Sequence, residues 1–187
     1  TTVDTTSLQA AINMAYTSGI NIKLLKKVYK VDATIYVNCN GDMSEGTIEG
    51  DGLSVGPMLF VGGNGTTNYP NLLNASIKLP KIYNQNKPTK DGWAGCLTGL
   101  EFGNCSYCHF DIPSITEFGN GILIDKNFLN NHIILNYIYS NKVNLNITTS
   151  TTAKCNNNIF YGGKLGHNTD DALTSLGYDS TKNNSWY

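Results

Sequence analysis

Fourteen acidic side chains are spread over 187 residues, and four of them, Glu101, Asp111, Glu117 and Asp125, fall in one stretch of regularly recurring apolar text. Glycoside hydrolysis needs two carboxylates about 5 to 9.5 Å apart, one of them protonated to act as an acid. Asp111 and Glu117 are the first candidates for such a pair, and Asp125 is the next. The competing reading for all of them is a solvated position on the outward side of an alternating strand. His167, Asp170 and Asp171, in GHNTDDAL, form the one tight cluster of acid and imidazole, and they equally suit the start of a short helix capped by Asn168 or Thr169. Cys96, Cys105, Cys108 and His109 have the ligand types of a zinc site. Structural zinc sites usually assemble from two such pairs, and the second is missing, so buried thiols are expected and no metal or cofactor is assigned. Trp93, Tyr107, Tyr137, Tyr139, Trp186 and Tyr187 offer flat apolar faces that suit sugar C–H groups, with Asn and Asp at hand for the hydroxyls. Trp93, in the polar segment KPTKDGWAGC, leads these binding candidates. Tyr137 and Tyr139 share a strand parity and so face the same way.

Composition narrows the chemistry. Thirteen positive against fourteen negative side chains leave a net charge of −1, which excludes the basic footprint of a nucleic-acid binder. All thirteen positive residues are lysines, so the planar fork that grips carboxylate or phosphate bidentately is absent from the chain. No apolar run approaches the roughly 20 residues of a membrane span, and membrane insertion is not expected.

The elements that must position these residues are mostly strands. With 25 Asn, 19 Gly and 19 Thr, the chain favours turns and β structure over helix. One helix is expected over residues 7 to 16, where Leu8, Ala11, Ile12 and Ala15 make an apolar stripe, Thr6 and Gln9 suit a capping box, and Gly19 suits the stop. Ile20, Ile22, Leu24, Val31, Ala33, Ile35 and Val37 then recur mostly at every second residue, as in strands with one buried face. From about residue 97 the text repeats. GLEF at 99 to 102 returns as GILI at 121 to 124 and more loosely as VNLNI at 143 to 147, while CHFDIPSI at 108 to 115 aligns with NHIILNYI at 131 to 138. NNHII at 130 to 134 returns as NNNIF at 156 to 160.

A period of 22 to 26 residues with Asn and Gly corners predicts an all-β solenoid, a right-handed parallel β-helix whose apolar residues stack turn upon turn. Leu100, Phe102, Phe110, Ile112, Ile115, Ile122, Ile124, Ile133, Leu135, Ile138, Val143, Leu145 and Ile147 are the expected inward set. The N-terminal helix is expected to cap the open end, and neighbouring turns, about 4.8 Å apart, are where a carboxylate pair would form. A β-sandwich also uses many short strands but does not explain the period. The organisation expected is a cap helix with its first strand over 1–27, and turns of β-helix over 28–187 with loop excursions at 62–96, around one strand-like run ASIKLPKIY, and at 166–187. The whole is a single domain, read as a portion of a longer chain.

The sequences DTTSLQAAINMA, IKLLKKVYKVDATIYVN and GTIEGDG (46 to 52), in that order, resemble the opening of the pectin-lyase-like β-helix of bacteriophage tailspikes and capsule depolymerases. The later text, LTGLEFGNCSYCHFDIPSITEFGNGILI, NNHIILNYIYSNKVNLNI and NNNIFYGGKLG, is similar to mid-helix turns of phage tail appendages, so the resemblance covers about residues 4 to 168. It implies a homotrimeric, extracellular protein of the virion tail that binds a bacterial surface polysaccharide and contacts other tail or baseplate proteins. The resemblance leaves two activities open, attachment and endo-acting depolymerisation, with a secreted bacterial pectin-lyase-like protein as a third context. Polysaccharide lyases of this fold commonly use an arginine as base, and this chain has none, so hydrolysis is preferred to lysis as the alternative to attachment.

Overall fold

The computed structural model describes residues 3–51, 56–64, 71–85, 98–148, 154–166 and 185–187. One helix, Thr5–Ser18, precedes a series of short strands that form three sheets, and every strand pair runs parallel. A β-sandwich is thereby excluded, since hairpin-connected sheets pair antiparallel.

The chain visits the three sheets in rotation. Thr98–Phe102 lies in a five-stranded sheet, Cys105–Ser106 in a four-stranded one and His109–Thr116 in an eleven-stranded one, after which Asn120–Ile124 returns to pair with Thr98–Phe102. Thr98 pairs with Asn120 and Asn120 with Val143, steps of 22 and 23 residues. His109 pairs with His132 and His132 with Ile159, steps of 23 and 27. Like residues therefore stack in columns, such as Leu59, Leu100, Ile122 and Leu145, or Ile77, Phe110, Ile133 and Phe160, all of them buried. Each fully buried apolar side chain of this kind contributes about 1.5–3 kcal/mol relative to exposure. Of the expected inward set only Val143 is not buried; its neighbour Asn144 turns inward instead.

The expected excursion at 62–96 contains three sheet members, Leu72–Leu73, Ser76–Lys78 and Lys81–Asn84, which pair with Cys105–Ser106 and with His109–Thr116. Pro57 pairs with Thr98 across 41 residues, and this long step hides the period from a scan for regular spacing. In the expected 166–187 excursion, Ser185–Trp186 pairs with Ile159–Tyr161.

The asparagines divide into two jobs at one corner. Asn74, Tyr107, Asn130 and Asn157 occupy equivalent positions and have φ of 54, 58, 56 and 55°, the left-handed turn that Asn tolerates. The next residue in each turn points inward: Ala75, Cys108, Asn131 and Asn158. Asn131 Oδ1 accepts from the Cys108 amide at 2.9 Å, and its Nδ2 donates to the Cys105 carbonyl and to Asn158 Oδ1. Asn158 repeats the arrangement one turn on, accepting from the Asn131 amide at 2.9 Å. Asn141 does the same at a second corner, accepting from the Phe118 amide and donating to the Ile115 carbonyl. A side-chain amide here closes main-chain groups that the sharp bend removes from the sheet ladder.

The helix covers the first turns. Leu8, Ile12 and Ala15 join the core. Gly19 ends it in the left-handed conformation, as expected. No capping box forms: Gln9 turns to the strand Ile35–Val37 at the margin of the five-stranded sheet, donating to the Tyr36 carbonyl at 3.0 Å and accepting from its amide at 2.8 Å. Thr5 Oγ1 accepts from the Asp32 amide and Asp4 from the Lys30 amide, so side chains of the helix end occupy main-chain groups that would otherwise be open.

Candidate functional site

The long strands bend, and the bend makes a groove. In His109–Thr116 the buried positions are Phe110 and Ile112, then Ile115; in His132–Tyr139 they are Ile133 and Leu135, then Ile138. Strict alternation would give every second residue, so the sequence slips by one at Pro113-Ser114 and at Asn136-Tyr137, leaving two consecutive outward residues in each turn. Pro113 suits this place because it cannot donate to a ladder.

Along the bend runs a groove of about 670 Å³, lined by Lys81, Pro113, Ser114, Asn136, Tyr137 and Tyr139. Lys81, Ser114 and Tyr137 stand at equivalent places in three successive turns, as do Tyr83, Thr116 and Tyr139 beside them. Tyr137 is 57% exposed and Tyr139 39%. The Asn136 amide is fixed, with Nδ2 donating to Asp111 Oδ1 at 3.0 Å and to the Ile112 carbonyl at 3.2 Å. Beside the groove, on the same sheet, runs a row of exposed rings: His109 to His132 at 6.3 Å, His132 to Tyr161 at 6.4 Å, and Tyr161 stacked on Tyr187 at 5.4 Å. The site combines apolar ring faces with fixed polar groups, a surface suited to polyhydroxylated ligands.

The acidic candidates separate. Asp111 borders the groove through Asn136. Glu117 lies just past the end of the same bent strand, in a corner with φ of 70°, where Ser140 stands one turn later with φ of 55°. Asp125 is on the five-stranded side of the molecule, held at 3.0 Å by Lys126. Its neighbour across the turns is Glu101, which pairs with Leu123, two residues before Asp125 on the same outward parity. That diagonal places their Cα atoms about 8 Å apart. Burial pushes the Glu101 carboxyl above the ordinary glutamate value, and the charge of Asp125 adds to the effect while Lys126 opposes it. Asp170, Asp171, His167, Trp93 and Cys96 lie outside the described residues.

Cys105 and Cys108 point into the core and His109 outward, so these three do not converge as a ligand set. Burial pushes the Cys105 thiol well above its usual range and raises Cys39 and Cys108 as well, which keeps them un-ionised and poorly reactive.

Sequence reasoning picked out Tyr137 and Tyr139 but not Lys81, Pro113, Ser114 or Asn136. The missed signal was the slip in alternation, visible when FDIPSI is aligned with IILNYI. Comparison of the chain with protein-family models, curated proteins and solved structures finds no match.

Proposed function

We propose that this chain is the attachment module of a phage tailspike or tail-fibre type protein and binds a bacterial surface polysaccharide. The observation that supports this reading is the groove of Tyr137 and Tyr139, with Asn136 held in place and Ser114 and Lys81 on its wall. Its wall is built from equivalent positions of successive turns, Lys81, Ser114 and Tyr137, so the surface crosses several turns, as an extended polymer needs. The three curled parallel sheets, visited in rotation, are taken as a right-handed parallel β-helix of the pectin-lyase-like kind, because parallel crossovers are right-handed in about 98% of cases. The virion tail, the homotrimer and the tail or baseplate partners rest on the resemblance of the sequence alone.

A second reading, an endo-acting glycoside hydrolase, is favoured by Glu101. A carboxyl with raised affinity for its proton, one turn away from Asp125, has the properties of a general acid beside a carboxylate. Incubating the protein with host capsule or wall polysaccharide and measuring both bound glycan and new reducing ends separates the two. Binding without chain shortening supports attachment. Release of oligosaccharides that Glu101→Gln or Asp111→Ala abolishes establishes hydrolysis instead.

A further inference from the structure

His109 and His132 occupy matched positions in neighbouring turns of the eleven-stranded sheet, where parallel strands lie about 4.8 Å apart. Both are exposed, and their ring centres are 6.3 Å apart. Among the described residues neither imidazole makes a hydrogen bond or an ion pair, so no bond commits the ring nitrogens or fixes the ring orientation.

The backbone beneath them is held firmly. The His109 amide donates to the Ala75 carbonyl and the His132 amide to the Cys108 carbonyl, both at 2.8 Å, so each strand is tied to the turn before it. Cys108 and Phe110 on either side of His109, and Asn131 and Ile133 on either side of His132, are buried in the core. Two side chains rooted in rigid strands, with rings that can still turn, are a preorganised chelating pair. An ion held by imidazole nitrogens at about 2.0–2.1 Å lies about 3.2 Å from each ring centre, so two such ligands place their ring centres from about 4.5 Å apart at a right angle to about 6.4 Å in line. The observed 6.3 Å falls within that span.

The surrounding charge suits a cation. Asp111, two residues past His109, faces the same side, and Lys78, its neighbour in the preceding turn, is engaged by Asp42 at 3.4 Å. Asp111 itself is turned to Asn136, and among the described residues no third His, Cys, Asp or Glu converges with the two histidines. An ion held there keeps positions for water or for an oxygen of a bound ligand. Imidazole nitrogen suits zinc, copper and nickel, whereas calcium and magnesium take oxygen ligands.

We propose that His109 and His132 together bind one divalent ion of the zinc, nickel or copper class, each through a ring nitrogen, with the remaining positions open to solvent. The protein is titrated with zinc chloride while the ring resonances of both histidines are followed by NMR, with magnesium and calcium chloride as controls. Both rings should shift together and saturate at a common zinc concentration, and neither control should move them at the same concentration. His109→Ala and His132→Ala should each weaken zinc binding at the remaining ring at least about tenfold, since a second ligand held beside the first acts at high effective concentration. Both residues are exposed, so the variants should fold, and unchanged Tyr137 resonances check this. Shifts confined to one ring, no shift at either, a loss smaller than tenfold in either variant, or an equal response to zinc and calcium would overturn the proposal.

Discussion

Replacing Asn131 by Ala removes three hydrogen bonds from a fully buried corner: the one from the Cys108 amide, at 2.9 Å, and the two that Nδ2 gives to the Cys105 carbonyl and to Asn158 Oδ1, at 3.3 and 3.0 Å. At a net value of about 1 kcal/mol each, the bonds account for about 3 kcal/mol, and leaving the Cys108 N–H without this partner raises the expected loss to about 3–5 kcal/mol. Against a domain stability of about 5–15 kcal/mol this is a large fraction. Urea unfolding followed by far-UV circular dichroism reads it directly, because with a slope of about 1–3 kcal/mol per molar the midpoint should fall by at least about 1 M. The control is Asn157→Gly. Asn157 is exposed with φ of 55°, so glycine preserves what the position requires and the stability should stay within about 0.5 kcal/mol of the parent. If Asn131→Ala costs no more than Asn157→Gly, the division of the asparagines into amide and backbone roles is wrong.

Further outcomes follow from other positions. Tyr107 has φ of 58° where three other turns place Asn, so Tyr107→Asn should stabilise by about 1 kcal/mol in the same assay; a loss would show that its exposed ring contributes contacts. Gln9→Ala removes both bonds to Tyr36 and should cost about 2 kcal/mol, with faster hydrogen exchange at the Tyr36 amide. An unchanged exchange rate there would contradict the edge-covering role of the helix. Glu101 has its folded-state pKa above the ordinary value of 4.5, so the stability linked to its proton is fully present below that value and is lost as pH rises through the folded pKa. Glu101→Gln should therefore match the parent in acid and become the more stable of the two towards neutral pH; parallel stability curves across that range would refute the raised pKa.

How far these features could be read in advance depended on whether they repeat. The apolar columns of Leu100, Ile122 and Leu145 recur at nearly constant intervals, so burial and parallel stacking were legible from spacing. The segment that holds Ile77 and Ile82 was legible as the strand-like run ASIKLPKIY but not as a turn of the stack, because Pro80 and a long interval before Thr98 break the register. The helix was placed from its stripe, yet its capping was misjudged: a main-chain pair on Tyr36 competes for the Gln9 amide, and that partner lies 27 residues away. At the groove, shared parity showed that Tyr137 and Tyr139 face one way but could not say which. The bend at Pro113 decides that, and it is the same bend that brings Lys81 and Asn136 to their side. Glu101 was among the acids noticed, but its environment depends on a diagonal across two turns that spacing alone does not reveal.

The tyrosine groove as a glycan site is what carries the proposed function. Titrating the protein with oligosaccharides from bacterial capsule and wall, while following the ring resonances of Tyr137 and Tyr139, tests it directly. A saturable shift confined to the groove residues, weakened about tenfold (roughly 1.4 kcal/mol) by Tyr137→Ala, is the predicted result. Glycan binding that leaves both rings unperturbed and survives the Tyr137→Ala, Tyr139→Ala double variant would contradict it.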